Sequence, residues 1–415
     1  MTFPSDAIVE SAHLCSAVIR LSFVERICRS MSLIGSTCLG ISAAALAVQW
    51  LSSGLAIYRC RRGAEQPRKP LDAPAVTIVR PLRGLEEFSR ETLASTFGIS
   101  YPLYEILFCV ADPNDPVIPL VRDLIAAHIG REARLLIGDD ALSMNPKLNN
   151  MAKGFSQAKF EHIVFVDSNV FMPVHYLDQL VSILQSGAGM VTAPPIGQLP
   201  IGFWAKVECA FLNTYQGRVQ YAVDALGFGF AQGKTLFFRK ADLDRGGFGF
   251  LASEPAEDAA ATKMMRQKGK PIRLAGPFAQ LIGKRTFAET WGRQLRWARL
   301  RRASFPLLFA LEIIAGIFPP LLALAAGLGA YDMLSGAAIV AFVAIWYAPE
   351  FALSRAAGWP GSLLAMILRD MLLPVLYISA YSGREINWHG KVMPVRQARL
   401  PQISMHLLTL IRRNR

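Results

Sequence analysis

Little in this chain serves metal binding through sulfur or imidazole. Six cysteines and six histidines are spread over 415 residues. Cys15, Cys28, Cys38, Cys60, Cys109 and Cys209 contain no Cys-x-x-Cys pair, and no histidine cluster completes a metal site. That excludes a zinc ribbon and a disulfide framework. It leaves reduced or buried thiols, as expected of a cytoplasmic domain. Internal repeats, low-complexity tracts and nucleic-acid-module signatures are also missing. Charge itself is absent over residues 32–58.

What is abundant is apolar surface and positive charge. Hydrophobic residues make up 52% of the chain and the mean hydropathy is +0.31. This is enough for an α/β core with segments left for a bilayer. A formal charge of +13 calls for an anionic partner: nucleic acid, an anionic membrane face or a nucleotide-sugar. Many basic residues flank apolar segments (Arg59, Arg61, Arg62, Arg68, Lys69; Arg293, Arg296, Arg299, Arg301, Arg302; Arg412, Arg413, Arg415). That favours a membrane surface over nucleic acid.

Residues 32–58 are long enough to cross about 30 Å of hydrocarbon as a helix. They are too long for a signal peptide. The basic residues after them put that side in the cytoplasm. Residues 1–31 form an N-terminal extension without a targeting pattern, and Met31 is a natural start. Residues 59–303 are read as a cytoplasmic catalytic domain and 304–383 as C-terminal membrane segments. Of these, 304–330 and 334–353 are expected to span. Residues 361–381, interrupted by Arg369-Asp370, are expected not to, because a further span would carry the basic tail, 384–415, outside.

Val76–Val79, Tyr104–Val110, Ala133–Ile137 and His162–Val166 read as buried strands. Helical segments at Pro116–Ile129 and Asn149–Ala158 lie between them. The alternation predicts a parallel sheet that binds ligands at its carboxyl edge.

The candidate site residues follow from that edge. After the first strand, Pro81 is expected to stop it and Gly84 to turn it. Arg80 or Arg83 then faces a phosphate, or is simply a solvated surface arginine. Asp112 follows a strand and suits a uracil imide N–H, or an ordinary Asx-turn. Asp167-Ser168-Asn169 resembles the Asp-x-Asp site of nucleotide-sugar enzymes. Asp167 and Asn169 would ligate Mg²⁺ or Mn²⁺ through oxygen, although Asn169 brings no charge. Lys147, near the start of a helix, suits an anion, while the asparagines around it suit capping. Glu257-Asp258 opens another helix, where acids are common. Asp258 there is a candidate general base, with Glu257 orienting a neighbour. Arg293 and Arg296 share one helical face and offer forked donors to phosphate. Trp297 suits a membrane interface. The same segment also reads as an amphipathic helix with snorkelling arginines.

In this order, the stretches Ile78–Gly84, Tyr101–Asp112, Asn145–Met151, Asp167-Ser168, Glu257-Asp258 and Arg293–Trp297 resemble the ceramide glucosyltransferase family, relatives of the cellulose and chitin synthases. The resemblance implies a GT-A fold, UDP-glucose as donor, a lipid acceptor such as ceramide and inversion at the anomeric carbon. It implies nucleotide contact at Asp112, cation or donor contact at Asp167, the base at Asp258, and a diphosphate grip at Arg293, Arg296 and Trp297. It further implies a bacterial inner-membrane protein whose catalytic domain is cytoplasmic, with no nucleic-acid partner. A hopanoid-modifying branch, a processive polysaccharide synthase and a nucleotide-binding scaffold are the rival readings.

Overall fold

The apolar runs become strands because both of their faces are covered. Ile106, Phe108 and Val110 pack into one core with Val76, Ile78 and Val164. Leu107 and Cys109, one residue out of phase, pack into a second core with Val79, Ile163 and Phe165. A computed structural model describes residues 6–64, 70, 72–139, 141–243, 247–383, 385–388 and 391–394; for 6–30, 62–64, 247, 385–388 and 391–394 it describes the backbone alone. Of the basic tail, only the backbone of the hairpin Glu385–Trp388 and Lys391–Pro394 falls within the described residues.

The strands are β1 (Val76–Leu82), β2 (Tyr104–Val110), β3 (Ala133–Ile137), β4 (His162–Val166), β5 (Met190–Thr192), β6 (Pro195–Ile201), β7 (Thr235–Arg239), β8 (Ile272–Leu274) and β9 (Phe278–Lys284). Seven of them form one sheet in the order β3-β2-β1-β4-β7-β5-β8. β1 to β4 are mutually parallel, as expected. The sheet as a whole is mixed, however, because β7 runs antiparallel to β4 and β5. β6 and β9 pair separately. Pro81 does not end β1. It lies inside the strand, past the last β1–β4 pair at Val79 and Phe165, and remains in register with Cys109 of β2.

The Pro146–Gln157 helix lies on the second core through Leu148, Met151, Ala152 and Phe155. A Cβ on Gly154 would meet Val79 Cγ1 at 2.3 Å and Cys109 Sγ at 3.1 Å, so only glycine allows the helix this close. That contact fixes where the helix starts, beside the carboxyl ends of the parallel strands. Cys60, Cys109 and Cys209 are buried thiols outside any disulfide.

The chain divides into two compact units. One joins Met1–Trp50 to Ile314–Ala348. Within it Ser36 Oγ lies 2.6 Å from the Tyr331 hydroxyl, and Gln49 donates to the Trp346 carbonyl. The other joins Leu51–Ile313 to Pro349–Arg415 and holds the sheet. There Ala56 and Cys60 pack with Ile196, Tyr221, Leu274, Leu353 and Trp359. Arg59 pairs with Asp224 at 2.9 Å rather than facing solvent.

Three described helices are long and apolar enough to cross a membrane: Met31–Arg61, Gly336–Ala357 and Leu363–Ser382. The expectations for the C-terminal segments change accordingly. Residues 304–330 do not form one straight span; Pro306–Ala315 and Phe318–Gly329 are separated by a break. Leu363–Ser382, expected not to span, meets the length and hydropathy of a span. Its two charges lie inside the protein. Arg369 and Asp370 are fully buried, and Arg369 forms a two-pronged ion pair with Glu350 at 2.8 and 3.1 Å. Arg369 also donates to Thr214 Oγ1 and to Asp370.

Candidate functional site

Five charged side chains from four separate segments meet at the carboxyl edge of the parallel strands. Asp167 stands one residue past β4. Its backbone N–H donates to the Lys234 carbonyl at 3.1 Å, continuing the β4–β7 ladder beyond the Val166–Thr235 pair. This sets the two side chains next to each other. Lys234 Nζ lies 2.8 Å from Asp167 Oδ2, and Lys147 Nζ lies 2.6 Å from Asp167 Oδ1. Lys147 also reaches Glu257 Oε1 at 2.6 Å and the Gly233 carbonyl at 2.7 Å.

Local structure explains each placement. Asn145 caps its helix by accepting the N–H groups of Lys147 and Leu148, and its amide donates to Glu257 Oε2 at 3.0 Å. The helix start and the acidic pair are thereby tied. Gly233 has φ +66°, and a Cβ there would lie 3.1 Å from Asp258 Oδ2. Glycine lets this loop run against the acids. Glu257 and Asp258 occupy the first turn of the Glu257–Gln267 helix, where the dipole favours negative charge.

The electrostatics separate the carboxylates. Burial raises Asp167, but Lys147 and Lys234 outweigh it and bring it down to about 2. Lys147 is raised because Asp167 and Glu257 together overcome its burial. Burial lowers Lys234 despite the Asp167 charge, and Arg293 adds to the fall. Asp258 goes the other way. Burial, then the Glu257 charge, push it up to about 7, with Lys147 opposing. A half-buried carboxyl whose affinity for protons is near neutrality suits general base work.

Other expected residues take different positions. Arg80 does not face a phosphate. It is fully buried, and its Nη groups donate to the carbonyls of Thr92, Asp167, Ser168 and Val170 and to Thr96 Oγ1. It holds the loop that carries Asp167. Asp112 is exposed past β2, two strands from β4, and its Oδ1 accepts the Asn114 N–H at 2.9 Å, an Asx-turn.

Asn169 Oδ1 accepts from Lys234 Nζ at 3.0 Å. The oxygens of Asp167 and Asn169 expected to hold Mg²⁺ or Mn²⁺ are therefore both satisfied by one ammonium. No group of three or more His, Cys, Asp or Glu suited to a metal is found among the described residues. The pair does not fit a preformed divalent-ion site.

The Phe287–Ser304 helix brings the arginines. Arg293 pairs with fully buried Glu208 at 2.9 Å. Arg285 approaches the same Glu208 and also pairs with Glu86, whose other oxygen accepts from Asn169. Arg296 is lowered to about 10, by burial and then by Arg293, against the pull of Glu208 and Asp167. Trp297 does not serve as an interfacial anchor. It packs against Ala256, Ala259 and Leu300 on one side and Ala205, Cys209, Leu212 and Ile282 on the other. It braces the start of the helix that carries Asp258. The basic run beyond is not a solvated stripe either: Arg301 forms a two-pronged pair with Glu312, and Arg302 donates to the Tyr381 and Gly383 carbonyls.

Sequence reasoning missed Lys234 and Glu208. Each had a signal. Lys234 follows a glycine and immediately precedes the strand Thr235–Arg239, and Glu208 stands alone in the run Val207–Leu212.

Against known proteins, residues 41–400 match the model of "Glycosyl transferase family 21". The chain is similar to two proteins of Caenorhabditis elegans. Ceramide glucosyltransferase 1 is 28% identical over 80% of this chain and 74% of its own length. Ceramide glucosyltransferase 3 is 26% identical over 77% and 72%. Among solved structures, a Pyrobaculum calidifontis mannosyltransferase in complex with GDP-Man and Mn²⁺ is 18% identical, covers 80% of this chain and 99% of its own, and has a TM-score of 0.49.

Proposed function

This chain belongs to glycosyl transferase family 21, and we propose that it moves glucose from UDP-glucose to the primary hydroxyl of ceramide with inversion at the anomeric carbon. Hexosyl transfer from a nucleotide sugar to a lipid comes with the family and with the ceramide glucosyltransferase relatives. Glucose, ceramide and inversion are the proposal.

The observation that carries it is the division of labour between Asp258 and Asp167. One carboxyl is raised toward neutrality and the other is held ionised between two lysines. Asp258 takes the proton of the acceptor hydroxyl as its oxygen bonds to the anomeric carbon. The bond from that carbon to the diphosphate oxygen breaks, and UDP leaves with the electron pair. Lys147, Lys234, Arg293 and Arg296 supply positive charge where that charge develops. Asp112, exposed at the same edge, is assigned to the uracil. Trp297 and Arg80 keep Asp258 and Asp167 in place.

The catalytic unit is assigned to the cytoplasmic face of a bacterial inner membrane, where the donor is found. If the broken pair Pro306–Ala315 and Phe318–Gly329 is re-entrant, three spans return the basic tail to that same face.

Purified protein incubated with radiolabelled UDP-glucose and, in separate reactions, ceramide or a hopanoid tests this reading. A lipid-soluble product with the anomeric configuration opposite to the donor's is expected. Label appearing only on a hopanoid overturns ceramide, insoluble polymer overturns lipid transfer, and retained configuration overturns inversion.

A further inference from the structure

Lys234 stands where a shared cation would stand. Its Nζ lies 2.8 Å from Asp167 Oδ2 and 3.0 Å from Asn169 Oδ1, the two oxygens a nucleotide-sugar enzyme of this pattern would offer a divalent ion. Hydrogen-bond distances to both mean that ion and ammonium compete for one position. The placement is built into the fold. Lys234 immediately precedes β7, and its carbonyl accepts the Asp167 N–H, so the β4–β7 ladder fixes the two backbones together. Lys234 is 8% exposed. The second oxygen of Asp167 already faces Lys147. Both oxygens of Asp167 therefore already hold an ammonium, Lys147 being shared with Glu257, so a divalent ion would have to displace Lys234 to reach Asp167 and Asn169, whereas Lys234 can offer its remaining donors to a diphosphate.

We propose that Lys234 is the resident cation of this site: it binds the donor diphosphate in the place of a divalent ion, with Lys147 beside it, and transfer needs no added metal. The proposal rests on the reading of Asp167 as part of the donor site.

The test is calorimetric titration of UDP into the full-length protein in detergent, with EDTA and with Mn²⁺, and electron paramagnetic resonance of Mn²⁺ to read ion binding directly. The wild-type protein should bind UDP equally in both and hold no stoichiometric Mn²⁺. In EDTA, Lys234→Met should bind UDP about tenfold or more weakly, the size of one lost charge-assisted hydrogen bond. Mn²⁺ should restore that binding and give a bound-ion spectrum, because the vacated oxygens become available.

Three results overturn the proposal: wild-type UDP binding that EDTA abolishes, a Lys234→Met protein that binds UDP normally in EDTA, or one that Mn²⁺ does not rescue. If the variant does not fold, the wild-type comparison decides alone. Absence of UDP binding by the wild type under both conditions would instead sink the donor-site reading, and the proposal with it.

Discussion

Lys147 lies 2.6 Å from Glu257, and the same ammonium lies 2.6 Å from Asp167. One side chain therefore links the start of the acidic helix to the end of β4. Burial does most to raise the proton affinity of Asp258, and this arrangement adjusts it: Glu257 raises it further and Lys147 lowers it.

A pH profile follows. The base acts only when ionised, so kcat should rise with pH up to about 7 and level off above. Glu257→Gln removes the charge that raises Asp258 and leaves Lys147 less compensated, so both effects move the midpoint to lower pH. The kcat–pH curve of the variant checks the sign. An unchanged midpoint, or one displaced upward, would show that Glu257 adds nothing to what burial does.

Asp258→Asn should keep UDP binding and lower kcat by about a hundredfold or more, the contribution expected of a general base. Calorimetry with UDP, set beside turnover on the same preparation, separates the two. Near-normal turnover would remove Asp258 from the role.

Arg296→Lys keeps one charge but loses the planar fork. If Arg296 meets the leaving diphosphate, kcat should fall more than the apparent donor affinity. Steady-state kinetics over a range of UDP-glucose read the split. Equal and small effects on both would favour a structural role.

Trp297→Ala should destabilise the protein by about 3–5 kcal/mol, as for a large side chain deleted from a packed site. Turnover should fall as well, because Ala256 and Ala259 flank Asp258 and lose their brace. Trp297→Phe should recover most of both. Chemical denaturation alongside kcat measures the pair, and normal turnover in a destabilised Trp297→Ala protein would break the link to Asp258.

Glu350→Gln should cost about 3–5 kcal/mol, because it leaves buried Arg369 without its main partner. Removing both charges should cost less than the sum of the two single losses. A double-mutant cycle on thermal stability in detergent reads the difference, and strict additivity would show that the pair is not coupled.

The sequence alone was enough to locate the parallel half of the sheet, since β1 to β4 are short, largely apolar runs separated by helical segments. It also marked Asp167, Lys147 and Asp258 as chemistry-bearing, because charged residues at strand and helix ends follow from local geometry. Tertiary structure decided what those charges face. Arg80 looks like a phosphate ligand from its turn, yet five acceptors from two other segments claim it. Asn169 looks like a metal ligand, yet an antiparallel strand far along the chain brings Lys234 to it. Arg369 looks unfit for a membrane segment until Glu350 is seen beside it. A pattern along the chain fixes which groups emerge at an edge. It does not fix their partners, because long-range pairing depends on the packing of the whole unit.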